Sequence, residues 1–348
     1  MVQSGKGHYD AAHKMYLAAP RMVFRRRKDK GGSNMGKVTV VGGAGFLGRY
    51  LVTRLARRGW QVRVAVRDPE AANFVKPMGG VGQVQPIQAN IRNEASIARA
   101  VAGADLVINL AGVMFPGGRQ SFQAVHENGA AALAQAAHAA GVARLIHVSA
   151  LGAAPDADSK YARSKAAGEA AVREAFATAA IVRPSTIFGP EDQFFNLFAR
   201  LATITPVMPL LGGGHGRMQP VYVGDVAQAI AALAEQAAPT GGTYELAGPQ
   251  VLRMAELMAI VCEQTGRDRL ALPLPFALAK FYAFFLQLMP WRILTMDQVE
   301  MLKVDNVLSG EYPGLAELGV TPTPLDAVLP SYLYRYRKAG RLPSAEEA

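Results

Sequence analysis

Cysteine is almost missing from these 348 residues. Cys262 stands alone, so no disulfide can form within the chain, and the composition fits a reducing compartment. It lies in the apolar run AELMAIVCEQ, where a small core residue is a simpler reading than a nucleophile. The histidines (His8, His13, His126, His138, His147 and His215) show no ligand spacing with carboxylates or cysteines, so a metal site has no support. The first 36 residues depart from the grammar of a secretory leader, because their apolar pieces are short and no small-residue cleavage site follows them. No internal repeat or low-complexity block occurs beyond a general richness in alanine.

Acidic residues are outnumbered 27 to 37 by Lys and Arg, a net charge of +10 that would suggest nucleic acid if it were spread over the chain. It is not spread. Residues 1–36 hold eight Lys/Arg against two acids, with RRRKDK at 25–30, and the remainder is mildly basic. The surplus therefore belongs to a flexible extension, a solvated arm or a contact with anionic lipid or an acidic partner. An organellar transit peptide, or a folded part that begins near Met35, are the other readings of the same stretch. No nucleic-acid-binding module is present, and an RNA role is not expected.

From residue 37 short β-branched runs alternate with Ala-rich helical stretches: KVTVVGG, FLGRYLVTRLARRG, WQVRVAVR, DPEAANFVKP, QVQPIQAN, NEASIARAVAGA, DLVINLAG, a long helix from Ser121 to Ala140, and RLIHVSALG. Apolar strands without polar alternation require a sheet covered by helices on both faces, so the fold class is α/β, a doubly wound parallel Rossmann sheet. AAIVRPS supplies a further strand and GGTYELAG, at 241–248, an edge strand. Between and after these two, Pro/Gly-rich loops and separate amphipathic helices indicate a smaller, interleaved C-terminal lobe. The expected organisation is an extension at 1–36, a nucleotide-binding domain at 37–190 with the edge strand 241–248, an α-rich lobe from 191–240 and 249–335, and a tail at 336–348.

Gly42, Gly45 and Gly48 in VGGAGFLGR follow a strand and open a helix. In that context they make a tight turn, a close approach of backbone to pyrophosphate, and close helix–sheet packing, with the anion at the positive helix terminus. Phe46 and Leu47 complete the turn, and Arg49, just after the last glycine, is expected to add positive charge for a phosphate. The second strand ends in AVRDP, so Arg67 stands where an NAD binder places an acid for the ribose 2′-hydroxyl. A guanidinium suits a 2′-phosphate, which favours NADPH over NADH. Asp68 is the competing reading, because a shift of one residue would present its carboxylate. Asn90 and Ile91 end the third strand beside the expected adenine, and Leu110, Ala111 and Gly112 end the fourth.

Ser149, Tyr161 and Lys165 form the remaining constellation, the last two as Y-x-x-x-K on one helix face. A phenol that ionises near pH ~10 exchanges protons efficiently only if adjacent positive charge draws it toward neutrality. The trio is therefore either a proton-transfer device or a clamp for a bound nucleotide. GxxGxxG, NLAG, Ser149, Tyr161-x-x-x-Lys165 and RPSTIFGP occur in an order and spacing that resemble the extended and atypical short-chain dehydrogenase/reductase families over residues 37–250. In working members, the resemblance implies, the tyrosine is the acid/base, the lysine lowers its pKa and holds the nicotinamide ribose, the serine orients a carbonyl, and Pro184 borders the nicotinamide.

Finer stretches, GFLGRYLVTRLARRGWQVRVAVRDPE, VGQVQPIQANIRNEASI, FGPEDQFFNLFARL, MQPVYVGDVAQAI and LTMDQVEMLKVDNV, resemble the short-chain-dehydrogenase-like accessory subunits of respiratory complex I in their alphaproteobacterial form. That resemblance implies a tightly held, structural NADPH far from the electron path. It also implies other complex I subunits as partners, at the junction of the hydrophilic and membrane arms, and a peripheral place on the cytoplasmic side of a bacterial inner membrane or, alternatively, the matrix side of the mitochondrial one. The alternative function is a free-standing NADPH-dependent reductase or epimerase of a small or lipid-like carbonyl substrate. His126, where related enzymes often carry asparagine, is expected on a helix surface or as a cap.

The most apolar stretch, 272–291, holds a helical segment of only 14 residues between Pro275 and Pro290, about 21 Å, too short to cross a bilayer. Lys280 and Gln287 share one line of it, leaving phenylalanines around the rest. It is either a core helix or one lying in the membrane interface with Trp291 at its end. The closing LPSYLYRYRKAGRLPSAEEA reads as a basic, aromatic docking patch.

Overall fold

The structure, a computed structural model, describes residues 36–236, 241–287 and 294–338. The basic run at 25–30, Trp291 and residues 339–348 lie outside the described residues, so the expectations placed on them are not addressed.

Seven parallel strands, β1 (Lys37–Val41), β2 (Gln61–Val66), β3 (Val84–Gln88), β4 (Leu106–Asn109), β5 (Arg144–Val148), β6 (Ala180–Pro184) and β7 (Thr243–Leu246), form one sheet in the order β7-β6-β5-β4-β1-β2-β3. The order reverses between β1 and β4, which opens a crevice at the carboxyl ends of the strands. Val38 and Val40 face α1 (Phe46–Arg57), which buries Leu51, Val52 and Leu55, and α6 (Val223–Glu235) shares that side. On the opposite face α2 (Glu94–Val101), α3 (Asn128–Ala139) and α4 (Lys160–Ala175) cover Val41, Val107 and Ile181. Both faces are dry, as the unalternating strands require.

A separate apolar cluster gathers Phe188, Phe195, Met208, Leu257 and Val261 with Leu329 and Leu333, drawing on α5 (Phe194–Ile204) and α7 (Met254–Thr265). The aromatic–basic segment near the chain's end joins it through the buried Tyr332 and Leu333, while Arg335, Arg337 and Lys338 stay exposed. The Tyr332 hydroxyl donates to the buried Asp192, and Tyr336 to Asn196 at 3.1 Å.

Two expectations are revised. The long helix from Ser121 begins as a single π-helical turn, Gln123–Glu127, before α3. The wider turn directs the His126 carbonyl at α4, where Gly168 lets it in: a Cβ there would sit 2.1 Å from that oxygen. The apolar stretch is also divided. Leu270–Leu274 is a strand paired in parallel with Val207–Leu211, and α8 (Phe276–Leu286) starts after Pro275. No helix of the described residues is long and apolar enough to cross a membrane.

Candidate functional site

Every residue singled out for the nucleotide lies at the carboxyl end of a sheet strand or in the segment that follows it. Gly42 follows β1, Arg67 β2, Asn90 β3, Leu110 β4 and Ser149 β5, while Pro184 closes β6. The sheet order therefore gathers around one crevice side chains scattered in sequence from Gly42 to Pro184.

The glycine turn is built as its spacing demands. Gly42 adopts φ +79°, and a Cβ on Gly48 would lie 2.4 Å from the Gly43 carbonyl, so α1 can seat on the turn only through glycine. Gly45 is the N-cap of α1 and offers no side chain to its amides, and the first turn holds no acidic residue. The positive end of the helix thus faces the crevice without an anion of its own. Phe46 meets Tyr50 edge to face, and Leu47 leans on the core. Arg49 is turned elsewhere: its Nη1 lies 3.4 Å from Glu191 and its guanidinium stacks on Phe74.

Arg67 is exposed and, among the described residues, makes no ion pair with a carboxylate. The adjacent Asp68 is committed through one oxygen, because its Oδ1 accepts the backbone N–H groups of Glu70 and Ala71 at 3.0 and 3.1 Å. That oxygen caps the next turn, which leaves Oδ2 of the exposed Asp68 and the guanidinium of Arg67 together at the end of β2. Asn90 similarly caps Arg92 through Oδ1, and Ile91 packs against Gly129 of α3. Leu110 continues the β1–β4 ladder to Val41, and the Ala111 N–H is fixed by the Asn109 side chain.

At the other end of the crevice, Ser149 is 4% exposed and its Oγ finds no partner among the described residues. Tyr161 and Lys165 stand on successive turns of α4. Lys165 Nζ donates to the Val148 carbonyl at 2.9 Å, and burial draws its pKa down to about 8 against the opposing pull of Glu169. Burial pushes the Tyr161 phenol up to about 12. The phenol therefore stays protonated at neutral pH.

The structure corrects the placement of His126, which is buried at 2% exposure rather than lying on a helix surface. Its Nε2 accepts the Val113 N–H, and Nδ1 donates to Ser164 Oγ, which in turn donates to the Tyr161 carbonyl. Burial, aided by the Lys165 charge, lowers its pKa to about 3, so it is a neutral strut. Phe122 stacks on its ring and Tyr161 meets it edge-on. Behind it His147 Nδ1 accepts from Asn109 Nδ2 at 3.0 Å, and burial holds this imidazole neutral as well.

Sequence reasoning missed further participants. Arg183 of β6 makes a two-pronged pair with Glu169 of α4, at 2.7 and 2.8 Å, and ties the clamp helix to the sheet. From α9 (Met296–Met301), Asp297 reaches the start of α4, and farther on Asn306 Oδ1 binds Ser185 and Thr186. A Thr-x-x-Gln capping box, Thr295 to Gln298, was the visible signal that a helix begins here; nothing local pointed to its target.

Outside the crevice, α8 turns its alanines inward. Ala279 and Ala283 pack on Leu211 and Val299, Lys280 pairs with Glu300, and Leu278, Phe281, Tyr282, Phe284 and Phe285 are about half exposed. This is no core helix.

Comparison with known proteins agrees with this geometry. Residues 38–247 match the model of the NAD dependent epimerase/dehydratase family. The chain is 39% identical to the mitochondrial NADH dehydrogenase (ubiquinone) 1 alpha subcomplex subunit 9 of Arabidopsis thaliana, over 93% of this chain and 84% of that protein. A ceramide reductase of Caulobacter vibrioides is 40% identical over 61% of this chain and 64% of its own length. Among solved structures, a Citrobacter triphenylmethane reductase superposes with a TM-score of 0.71 at 20% identity, covering 85% of this chain and 99% of that one. The quinone oxidoreductase QOR2 of Escherichia coli, solved with NADPH, superposes at 0.67 and 21%, covering 85% and 98%. At such identities these two structures speak for the fold.

Proposed function

The chain belongs to the NAD dependent epimerase/dehydratase family and, over most of its length, to the family of the subunit 9 proteins of the NADH dehydrogenase (ubiquinone) 1 alpha subcomplex; on that premise we propose that it is an accessory subunit of respiratory complex I that holds NADPH as a fixed part of its fold. The observation that carries the nucleotide reading is the helix terminus at Gly45, free of a side-chain cap, at the end of β1, together with the exposed guanidinium of Arg67 at the end of the neighbouring β2, which makes no ion pair among the described residues. Gly42, Gly45 and Gly48 admit the pyrophosphate to the amides of Phe46 and Leu47, and Arg67 takes the 2′-phosphate. Asn90 and Ile91 flank the adenine, while Leu110, Ala111 and Gly112 line the crevice between its two ends. Tyr161 and Lys165 donate to the nicotinamide ribose, and Pro184 borders the ring. When bound, NADPH supplies a hydride-donating nicotinamide.

A static clamp is supported by the state of Tyr161, a phenol moved away from neutrality by burial. Docking is supported by α8: covering the exposed half of each aromatic ring contributes about 2 kcal/mol at the usual area coefficient, enough for a peripheral contact with the membrane surface or neighbouring subunits. We place that contact at the arm junction, on the cytoplasmic side of a bacterial inner membrane or the matrix side of its mitochondrial counterpart.

The test is a pull-down from native membranes through a tag at Ala348. Copurifying NADH dehydrogenase subunits and released NADP(H) are expected; a chain recovered alone contradicts the assignment. A second reading, an NADPH-dependent reductase of a lipid-like carbonyl compound, is favoured by Ser149, whose buried Oγ has no partner among the described residues and could hold a carbonyl. NADPH oxidation that depends on such a compound, and is lost in Tyr161→Phe, would establish it.

A further inference from the structure

The clamp helix is held at its start by the second lobe. Ser159 is the N-cap of α4 and accepts the Ala162 N–H at 3.2 Å. Asp297 adds a second cap across 136 residues of sequence: Oδ1 accepts the Lys160 N–H at 2.6 Å, and Oδ2 accepts both the Tyr161 N–H and Ser159 Oγ at 3.1 Å. A carboxylate receiving backbone donors at a helix N-terminus is charge-assisted and aligned with the helix dipole. One of those donors belongs to Tyr161 itself, so the carboxylate fixes the backbone from which the phenol projects.

Asp297 is itself anchored. Thr295 and Gln298 close a reciprocal cap at the start of α9, Glu300 pairs with Lys280 of α8 and with Lys303, and Asn306 Oδ1 takes Ser185 Oγ at 2.6 Å and the Thr186 N–H at 3.1 Å. Ser185 and Thr186 directly follow Pro184. Residues 295–306 therefore grip both flanks of the nicotinamide end of the crevice. None of their hydrogen bonds reaches the glycine turn, Arg67 or Asn90.

We propose that Asp297 is a positioning residue of the nucleotide site, setting Tyr161 and Lys165 against the nicotinamide ribose while leaving the adenosine end untouched. This deepens the nucleotide reading and rests on it. The asymmetry separates it from simple lobe docking, which would weaken both ends of the site alike. It also makes the coupling reciprocal, so that a ligand reaching Tyr161 tightens α9 and one confined to the adenosine end does not.

Two probes distinguish the ends in the purified full chain: NADPH, which spans the crevice, and 2′,5′-ADP, which carries only the adenosine and its phosphates. In Asp297→Ala the NADPH dissociation constant is expected to rise about tenfold, and less in Asp297→Asn, which keeps an acceptor oxygen, with the 2′,5′-ADP constant unchanged in both. Equal losses for the two ligands, or no loss for NADPH, overturn the proposal. Should Asp297→Ala fail to fold, hydrogen exchange in the wild type decides. Amides of 294–306 are expected to slow with NADPH and not with 2′,5′-ADP, and equal slowing or none overturns it. A wild-type chain that binds neither ligand overturns the nucleotide reading as well, whereas binding of both without the split overturns the role of Asp297 alone.

Discussion

Gly45→Asp separates the fold from its ligand. Gly45 is the N-cap of α1 at φ −73° and ψ −177°, an extended conformation that aspartate adopts freely. A Cβ there meets only the Gly42 carbonyl, at 3.2 Å, a contact relieved by a shift of a few tenths of an ångström. Aspartate caps helices better than glycine by a few tenths of a kcal/mol, which offsets that crowding, so the stability of the nucleotide-free chain is expected to stay within about 0.5 kcal/mol of wild type. The new carboxylate, however, takes the α1 amides and puts a negative charge where the pyrophosphate must sit. NADPH at a hundredfold over its dissociation constant stabilises the wild type by about 2.7 kcal/mol, or about 4 °C in Tm for a chain of this size. The variant is expected to show none of that shift. Thermal denaturation with and without NADPH measures both quantities in one experiment. A variant that melts at the wild-type temperature and is still raised by NADPH would refute the assignment of this helix terminus to the pyrophosphate.

Arg67→Ala is expected to weaken NADPH binding by roughly 10- to 100-fold, the usual range for a charge-assisted bond to phosphate, and to leave NADH unchanged; competition titrations give both constants. Tyr161→Phe removes one donor to the ribose and is expected to cost NADPH affinity less than about tenfold, read by equilibrium titration, because the phosphates carry most of the binding. Burial lowers Lys165 from 10.5 to about 8 in the folded chain, so the unfolded chain holds the extra proton between those values and folding stability rises as pH climbs through that window. Urea denaturation of nucleotide-free wild type and Lys165→Met, compared at pH 7.5 and 10.5, is expected to show their difference moving by up to about 3 kcal/mol in favour of wild type at the higher pH. Phe281→Glu with Phe284→Glu is expected to abolish cosedimentation with membranes while the NADPH-induced rise in Tm survives, since α8 buries only Ala279 and Ala283.

The sheet and the glycine turn were legible in the sequence because their signals are local: unalternating apolar strands, and glycines spaced for a strand–turn–helix junction. The choice between Arg67 and Asp68 was not, since both stand at the end of β2 and the hydrogen bonds that Asp68 Oδ1 accepts from Glu70 and Ala71 leave no mark in the sequence. His126 was misplaced for a related reason. A helical period from Ser121 to Ala140 puts it on a surface, but the π-turn at Gln123–Glu127 inserts the ring beneath Tyr161. Asp297 and Asn306 act across 136 and 121 residues, on partners that carry no mark of the interaction. The inverted helix α8 was half legible, its aromatic excess plain and its inward alanines hidden by the same composition.

The claim that the nucleotide is scaffold rather than consumed reactant is tested most directly by its stoichiometry within the working assembly. Complex I is isolated through the tagged chain, supplied with NADH and ubiquinone, and the acid-released NADP(H) is counted before and after turnover. One NADPH per chain, still reduced and undiminished when respiration has run, is the predicted result. A chain that carries no nucleotide, or whose NADPH is oxidised or lost as the enzyme turns over, contradicts it.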